Sequence, residues 1–150
     1  MTTSKPICLR PLELTQAAFA PFGRILEPRA DEAPEVSAEG SFDFYVLLGV
    51  ESGGWQIGYL GLQTARLDEL ECHPRTPEVF SPLRGECALV VSVDGKDPAA
   101  FRLSRPIVLN AGVWHGVIRL SGNPTVLIAE NNDVADEFVP LERPVVCGEG

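Results

Sequence analysis

The sequence predicts an all-β fold, a double-stranded jelly-roll barrel with one short helix near the N-terminus. Short apolar segments recur at near-regular spacing between residues 42 and 130, separated by turn signals such as Asp94-Gly95. Residues 65–73 alternate along the chain, which is the period of a strand with two different faces. Because several polar side chains share one of these faces, we expect it to line a cavity inside the barrel.

Length and composition predict one globular domain over residues 1–150. A chain of 150 residues is long enough to bury a core, and 45% hydrophobic with 22% charged residues is an ordinary globular balance. The formal net charge of −9 repels phosphate groups, so nucleic acid and anionic membranes are excluded as expected partners. A small acidic substrate would need a local positive group to offset this field.

The N-terminal sequence and the cysteines predict a cytoplasmic protein. The opening MTTSKPICLRPLEL lacks the apolar run of a signal peptide, and no later run reaches transmembrane length. The four cysteines have no paired spacing, so we expect free thiols in a reducing compartment.

The first third of the chain is the least β-like. Thr15 is a suitable N-cap for a short helix over 16–20, which Pro21 and Gly23 end. Residues 27–41 are acidic and rich in proline, alanine and glycine, which predicts a solvated loop.

Beyond this loop the sequence predicts a series of strands, and a tail from Asn131 that packs along the outside or on a partner. The segment at 87–93 is apolar throughout and is expected to be buried on both faces. The predicted strands are 42–50, 55–62, 65–73, 79–82, 87–93, 101–103, 107–109, 113–120 and 125–130.

Two segments carry the only histidines of the chain. His73 is followed by Glu78 after four residues, and by Gly85 after six more; His115 ends the second segment, Asn110-Ala-Gly-Val-Trp-His115. Imidazole and carboxylate groups from adjacent strands can converge on one divalent metal ion. The alternative is that both histidines are core residues with hydrogen-bond partners and that the glutamates lie on a solvated rim.

The histidine segments resemble the two motifs of the cupin superfamily, which implies a cupin-like double-stranded β-helix. The first cupin motif has two histidines one residue apart, then a glutamate and a glycine; here Glu71 replaces the first histidine, while His73, Glu78 and Gly85 match. In the second motif, His115 follows its turn glycine by three residues. The resemblance implies a metal site of His73, Glu78, His115 and Glu71. Such a site suits nickel, manganese, zinc or iron, with no organic cofactor.

A narrower resemblance covers the chain from Ile7 to about Glu130. The sequence is similar to ureidoglycolate lyases (also called ureidoglycolate hydrolases) in the segments 10–23, 69–74, 80–86 and 113–115. After Ala129 the similarity departs from the family's Asp-, Arg- and Gly-rich segment. The resemblance implies a homodimer that releases urea from ureidoglycolate and leaves glyoxylate, in purine and allantoin catabolism.

Within this interpretation, acidic and basic side chains are candidates for catalysis and substrate binding. Glu71 or Glu78, if not a ligand, can take the substrate hydroxyl proton. Arg119 alternates with His115 and is expected to face the same cavity, where it can grip a carboxylate; Arg84 is a second candidate for this role.

Each of these assignments has an alternative. Arg84 and Arg119 are also typical of exposed turn and strand-end residues, and Trp114, a candidate substrate-binding residue, is also typical of packing. For the whole protein, the alternatives to a lyase are a non-catalytic cupin that binds a small acid and another metal-dependent cupin enzyme, an isomerase or a dioxygenase. Elemental analysis and a turnover assay separate the lyase and the other metal-dependent enzymes from the non-catalytic cupin.

Overall fold

Strands account for nearly all of the regular structure. The computed structural model describes residues 4–50 and 53–148. Helix α1 is Gln16–Phe19, and the strands within these ranges are β1 Ile7–Leu9, β2 Gly23–Ile25, β3 Val36–Ala38, β4 Phe42–Phe44, β5 Trp55–Gly61, β6 Arg66–Cys72, β7 Glu78–Ser92, β8 Ala99–Arg102, β9 Ile107–Leu109, β10 Trp114–Asn131 and β11 Glu137–Cys147.

Most of the strands join in one mixed sheet, built around the long strands β7 and β10. The order is β1-β11-β6-β10-β7-β9-β2, and β5 and β8 pair with β10 and β7 respectively. The first part of β10 lies beside β6, whereas its last part pairs with β5. Because β10 changes its neighbour on one side while keeping β7 on the other, the sheet curves around an interior. The predicted all-β fold is confirmed.

The predicted N-terminal helix is present as a single turn. Thr15 is its N-cap, and the Thr15 hydroxyl accepts a hydrogen bond from the backbone N–H of Ala18 at 3.1 Å. Phe19 is fully buried and its ring meets Phe101 edge-on, with centroids 5.3 Å apart. No helix within the described ranges is long and apolar enough to cross a membrane.

Two pairs of predicted strands are continuous in the structure. Segments 79–82 and 87–93 are both part of β7, and 113–120 and 125–130 are both part of β10. The expected turns are irregularities of the ladder instead, with register shifts between Arg119 and Val126. Gly85, with φ of +68°, permits β7 to lie close to β10 at this irregularity, since a Cβ on it would lie 2.8 Å from the Cα of Pro124.

The predicted strand over 42–50 is wrong beyond its first three residues. Only β4 is extended and paired, and its partner β3 lies inside the predicted loop 27–41. This hairpin turns at Gly40, which has φ of +76°. Its aromatic residues, Phe42 and Phe44, are exposed, because the hairpin forms a sheet of its own apart from the barrel.

The C-terminal tail completes the sheet. Strand β11 pairs antiparallel with β6 and parallel with β1. Glu137 stands opposite Cys72 and Phe138 opposite Glu71, so the start of β11 lies beside the segment that leads to His73.

The sheet buries apolar side chains on both faces of β7, as predicted for 87–93. Leu89 and Val91 belong to a core cluster that includes Phe19, Phe80 and Phe101. Ala88 and Val90 belong to a second cluster with Leu70, Ile118 and Val145. The candidate site lies at the edge of the first cluster, where Phe80 contacts the ring of His115.

Candidate metal centre

Two cross-strand pairs bring the predicted ligands together. His115, in β10, stands opposite Glu71 of β6, and Glu78, the first residue of β7, stands opposite Glu130 near the end of β10. His73 follows β6 directly, so that it lies beside both pairs. His115, Glu78 and His73 are 2%, 4% and 5% exposed, which is unusual for groups that carry charge.

Glu78 lies between the two imidazoles. Its Oε1 is 3.0 Å from Nε2 of His115, and its Oε2 is 3.3 Å from Nε2 of His73. Glu71 Oε1 is 3.6 Å from Nε2 of His115 and 3.8 Å from Nε2 of His73. The rings of His73 and His115 are 5.1 Å apart between centroids. The structure thus places all four predicted ligands around a common point.

Two further carboxylates reach His73. Glu130 Oε2 is 3.7 Å from its Nε2, while Glu130 Oε1 accepts a hydrogen bond from Gln56 at 2.9 Å. Asp136 Oδ1 lies 2.8 Å from Nδ1 of His73. The sequence does not decide whether Glu130 lies in the cavity or at its edge. Pairing of its strand with the strand of Glu78 would have placed it in the cavity. Asp136 and Gln56 were missed, since neither belongs to a recognised motif.

The mutual contacts shift the pKa values of the cluster. Burial raises the pKa of Glu78, but the close imidazoles of His115 and His73 outweigh it and hold that pKa at about 2. Burial lowers the pKa of His115, yet contacts with Glu71 and Glu78 raise it to about 10. Burial and the neighbouring Glu78 carboxylate raise the pKa of Glu130 to about 7. The group therefore concentrates negative charge that the imidazoles only partly balance.

Several buried atoms of the cluster lack a well-oriented hydrogen bond despite these short distances. They are Nε2 of His115, Oε1 of Glu78, Oε2 of Glu130 and Nδ1 of His73. Buried polar atoms without partners are costly, and a divalent cation would satisfy the lone pairs of the first three together.

The spacing of the donor atoms also fits a single ion. Adjacent ligands bound at about 2.1 Å to one ion lie roughly 3.0–3.4 Å apart. Two sets of three ligand atoms lie within 4.8 Å of one another, one from Glu71, His73 and His115 and the other from His73, Glu78 and Glu130. Mixed nitrogen and oxygen donors of this kind suit a divalent transition metal ion.

The cluster lies on one side of a cavity of about 520 Å³. The described residues that line it include five carboxylates, two imidazoles and Gln56, with no arginine or lysine. The rest of the lining is largely apolar and includes Leu60, Val117 and Ile128. A negatively charged ligand in this cavity would therefore meet no basic side chain from the described residues.

Three predicted site residues do not line this cavity. Arg119 is exposed and donates to the carbonyl oxygen of Gly122 at 3.2 Å, so its predicted placement beside His115 is wrong. Arg119 lies four positions after His115, about 13 Å along a strand, and Val117 between them lines the cavity whereas Arg119 does not. Arg84 borders a different cavity with Arg102.

Trp114 is the third residue that the structure places elsewhere. It is half-buried and packs against the second core cluster, and its ring lies beside Gly95. Neighbours along a strand point to opposite faces, and His115 occupies the cavity face here. The packing alternative for Trp114 therefore describes its position.

Known proteins resemble the chain at a modest level of identity. It is 28% identical over 128 residues to ureidoglycolate lyase 2 of Rhizobium meliloti (strain 1021). The aligned residues cover 75% of this chain and 77% of that protein. The chain is similar in sequence to ureidoglycolate lyases. A ureidoglycolate lyase of Azotobacter vinelandii (strain DJ / ATCC BAA-1303) is 25% identical over 146 residues, or 87% of this chain and 81% of that protein. No family model matches the chain.

The comparison with solved structures gives partial matches. A 3,4-ketoisomerase from Helicobacter canadensis superposes with a TM-score of 0.45 at 16% identity, over 56% of this chain and 66% of that chain. The predicted resemblance to ureidoglycolate lyases is confirmed by the two sequence relatives.

Proposed function

We propose that this protein is a metal-assisted lyase that cleaves ureidoglycolate into glyoxylate and urea, as part of purine and allantoin catabolism. The buried cluster of His73, Glu78 and His115 in an acidic cavity is the observation that carries the proposal. The sequence relation to ureidoglycolate lyases supports the choice of substrate.

The chain's own residues suit a divalent ion such as nickel, manganese, zinc or iron. His73, Glu78 and His115 would hold it, with Glu71 and Glu130 beside them. When bound, the ion would supply Lewis-acid polarisation of the substrate hydroxyl and a positive charge for the substrate carboxylate. This charge is needed, because no arginine or lysine is among the described residues that line the cavity.

Glu71 is the best-placed base. Glu78 is enclosed by both imidazoles, whereas the side chain of Glu71 is 37% exposed and faces the cavity. Glu71 would take the proton of the substrate hydroxyl as the oxygen forms a C=O bond and the C–N bond breaks. The same carboxyl group would then return that proton to the departing nitrogen, which leaves as urea.

The test is release of glyoxylate and urea from ureidoglycolate by the purified protein, after chelator treatment and after metal is added back. Glu71→Gln should lower turnover by roughly 10²–10⁴-fold while metal binding persists. Glu69→Gln is the matched control, since Glu69 lines the same cavity but has no contact with either imidazole in the described residues.

The two parts of this proposal fail separately. If the metal-loaded protein binds its ion but releases no glyoxylate, the substrate assignment is wrong. If Glu71→Gln turns over at the rate of Glu69→Gln, ureidoglycolate is the substrate but Glu71 is not the base.

We also propose that the protein is a homodimer, with the outer face of β5 in the interface. Ile57 and Tyr59 alternate on this face and are 73% and 68% exposed, and Trp55 continues the row. Such a row of large apolar groups is unfavourable in water and typical of a protein contact. Gln56, Gly58 and Leu60, which alternate with this row, line the cavity together with Tyr59, so pairing of two copies would also brace the site.

Light scattering at micromolar concentration tests the dimer. The wild-type protein should be dimeric and Ile57→Glu monomeric, because a buried unpaired carboxylate is costly. Val93→Glu is the control, since Val93 is an exposed apolar residue outside β5. A wild-type monomer would overturn this proposal.

A further inference from the structure

The two histidines of the cluster differ in what their Nδ1 atoms contact. Nδ1 of His73 lies beside a side chain, whereas Nδ1 of His115 lies beside a backbone carbonyl oxygen. Its imidazole is 5% exposed, and Nδ1 is buried on the side away from Glu78. The nearest described carboxylate oxygen is Oδ1 of Asp136, at 2.8 Å, yet the two groups are not aligned as a hydrogen bond. A buried Nδ1–H without an aligned acceptor is costly.

The strand register brings Asp136 to this position. Glu137 pairs with Cys72 and Phe138 with Glu71, and Asp136 and His73 are the residues that directly adjoin this antiparallel ladder on its two strands. Residues that face each other in this way have Cβ atoms about 4.5–5.5 Å apart. The contact therefore follows from the pairing of β11 with β6 and not from a chance approach of a loop.

The backbone just before Asp136 is held in an unfavourable conformation. Among the residues that the structure describes, Ala135 is the only non-glycine residue with a positive φ, which is +46°. A residue with a Cβ adopts this region only when its surroundings impose it. The left-handed turn at Ala135 links the end of β10 to the start of β11 and directs Asp136 toward His73.

We propose that Asp136 is a positioning residue, which accepts the Nδ1–H of His73 and so presents Nε2 to the metal ion. The carboxylate is 42% exposed, so it has room to rotate into line with the ring N–H. Histidines that bind metal commonly donate their other N–H to a carboxylate, which fixes tautomer and orientation. This inference rests on the metal site of the proposed function and adds a residue that no cupin motif contains.

Zinc(II) binding to the metal-free protein tests this role by calorimetry. Asp136→Ala should weaken zinc affinity by about 10–100-fold, the usual effect of losing an orienting partner. Asp136→Asn should restore most of it, since its amide oxygen still accepts a hydrogen bond. Asp133→Ala is the matched control: Asp133 lies in the same segment but pairs with the exposed Arg75.

A nitrogen-15 NMR spectrum of the zinc-loaded protein provides a readout that a structural role alone would not move. In the wild type and in Asp136→Asn, His73 should carry its proton on Nδ1 and bind zinc through Nε2. In Asp136→Ala the Nδ1 proton signal should broaden or vanish, while the signals of His115 stay in place.

The outcomes separate this inference from the proposed function. If the wild type binds no zinc, the metal site itself is wrong. If the wild type binds zinc and Asp136→Ala matches Asp133→Ala within twofold, or if His73 binds zinc through Nδ1, the positioning role is overturned and the metal site stands.

Discussion

The two histidines of the cavity are held in different ways. His115 donates from Nδ1 to the carbonyl oxygen of Val113, two residues earlier, at 3.0 Å, and the ring of Phe80 packs edge-on against it. His73 lies just beyond β6, and its Nδ1 faces Asp136, a residue that another strand brings to it. One imidazole is therefore oriented by its own local backbone, the other by a distant segment. We infer that the orientation of His115 is set by its own strand, whereas the orientation of His73 depends on formation of the whole sheet.

Removal of either imidazole should have the largest effect on metal binding. His73→Ala and His115→Ala each delete a ligand, so zinc affinity should fall by more than the roughly 100-fold upper range for loss of an orienting partner. Circular dichroism should show little change, because the strands are held by their apolar clusters.

A core variant completes this experiment. Phe101→Ala removes a buried ring that does not line the cavity and should cost about 3–5 kcal/mol of stability. Zinc affinity of the fraction that remains folded should be unchanged. Equal zinc affinities in wild type and either histidine variant would contradict the assigned ligands.

The metal-free protein should lose stability on the alkaline side more than the metal-loaded protein. The pKa of His115 is raised from 6.5 to about 10, so its contribution is complete below pH 6.5 and is lost as pH rises toward 10. The pKa of Glu78 is lowered from 4.5 to about 2, so its contribution is complete above pH 4.5 and is lost as pH falls toward 2. His115 and Glu78 together therefore stabilise the metal-free fold best between pH 4.5 and pH 6.5.

Chemical denaturation at pH 5.5 and pH 9 measures this difference. Without metal, the free energy of unfolding should drop at the higher pH by on the order of a few kcal/mol. With zinc bound, the drop should shrink, since the ion replaces the protons on the imidazoles. A metal-free His115→Gln protein should show a smaller drop than the metal-free wild type, and an equal drop would assign the effect to other groups.

Phe80→Leu should affect His115 but not His73, and its effect on zinc affinity should be smaller than that of removing either histidine. The change keeps an apolar side chain but removes the edge-on contact with His115, worth about 0.5–1.5 kcal/mol. Zinc affinity should therefore fall by roughly 2–10-fold. NMR signals of the His115 ring should shift while those of His73 hold; equal shifts in both rings would show that the two supports are not independent.

Ala135→Gly should produce the smallest change. Glycine adopts positive φ without a Cβ penalty, so the variant should be about 1 kcal/mol more stable than the wild type. Zinc affinity should stay within a few-fold, because Asp136 keeps its place in the register. Thermal unfolding and calorimetry check the two quantities, and a loss of stability would mean that Ala135 makes contacts that favour its side chain.

The part of the site that depends on local spacing was predicted from the sequence. His73, Glu78 and His115 fall at motif spacing, and alternation along residues 65–73 placed Glu71 on the same face as His73. The structure brings these four side chains together around one point. Strand periodicity and turn signals also predicted the β-class of the fold, since both reflect the backbone within a few residues.

The parts that were missed depend on pairing over long distances. Asp136 reaches His73 only because the tail forms β11, and its apolar pattern was too irregular to predict a strand. Arg119 was misplaced because strict alternation ignores how far along a strand the cavity extends. The merger of predicted strands into β7 and β10 needed glycine-containing irregularities that resemble turns in the sequence.

The most direct test of the metal centre is the X-ray absorption spectrum of the metal-loaded protein at the edge of the bound ion. Our account predicts two imidazole nitrogens at about 2.0–2.1 Å together with carboxylate oxygens. In His73→Ala or His115→Ala, any ion that still binds at high concentration should show one imidazole. A spectrum of oxygen ligands alone in the wild type, or an unchanged number of imidazoles in both variants, would contradict it.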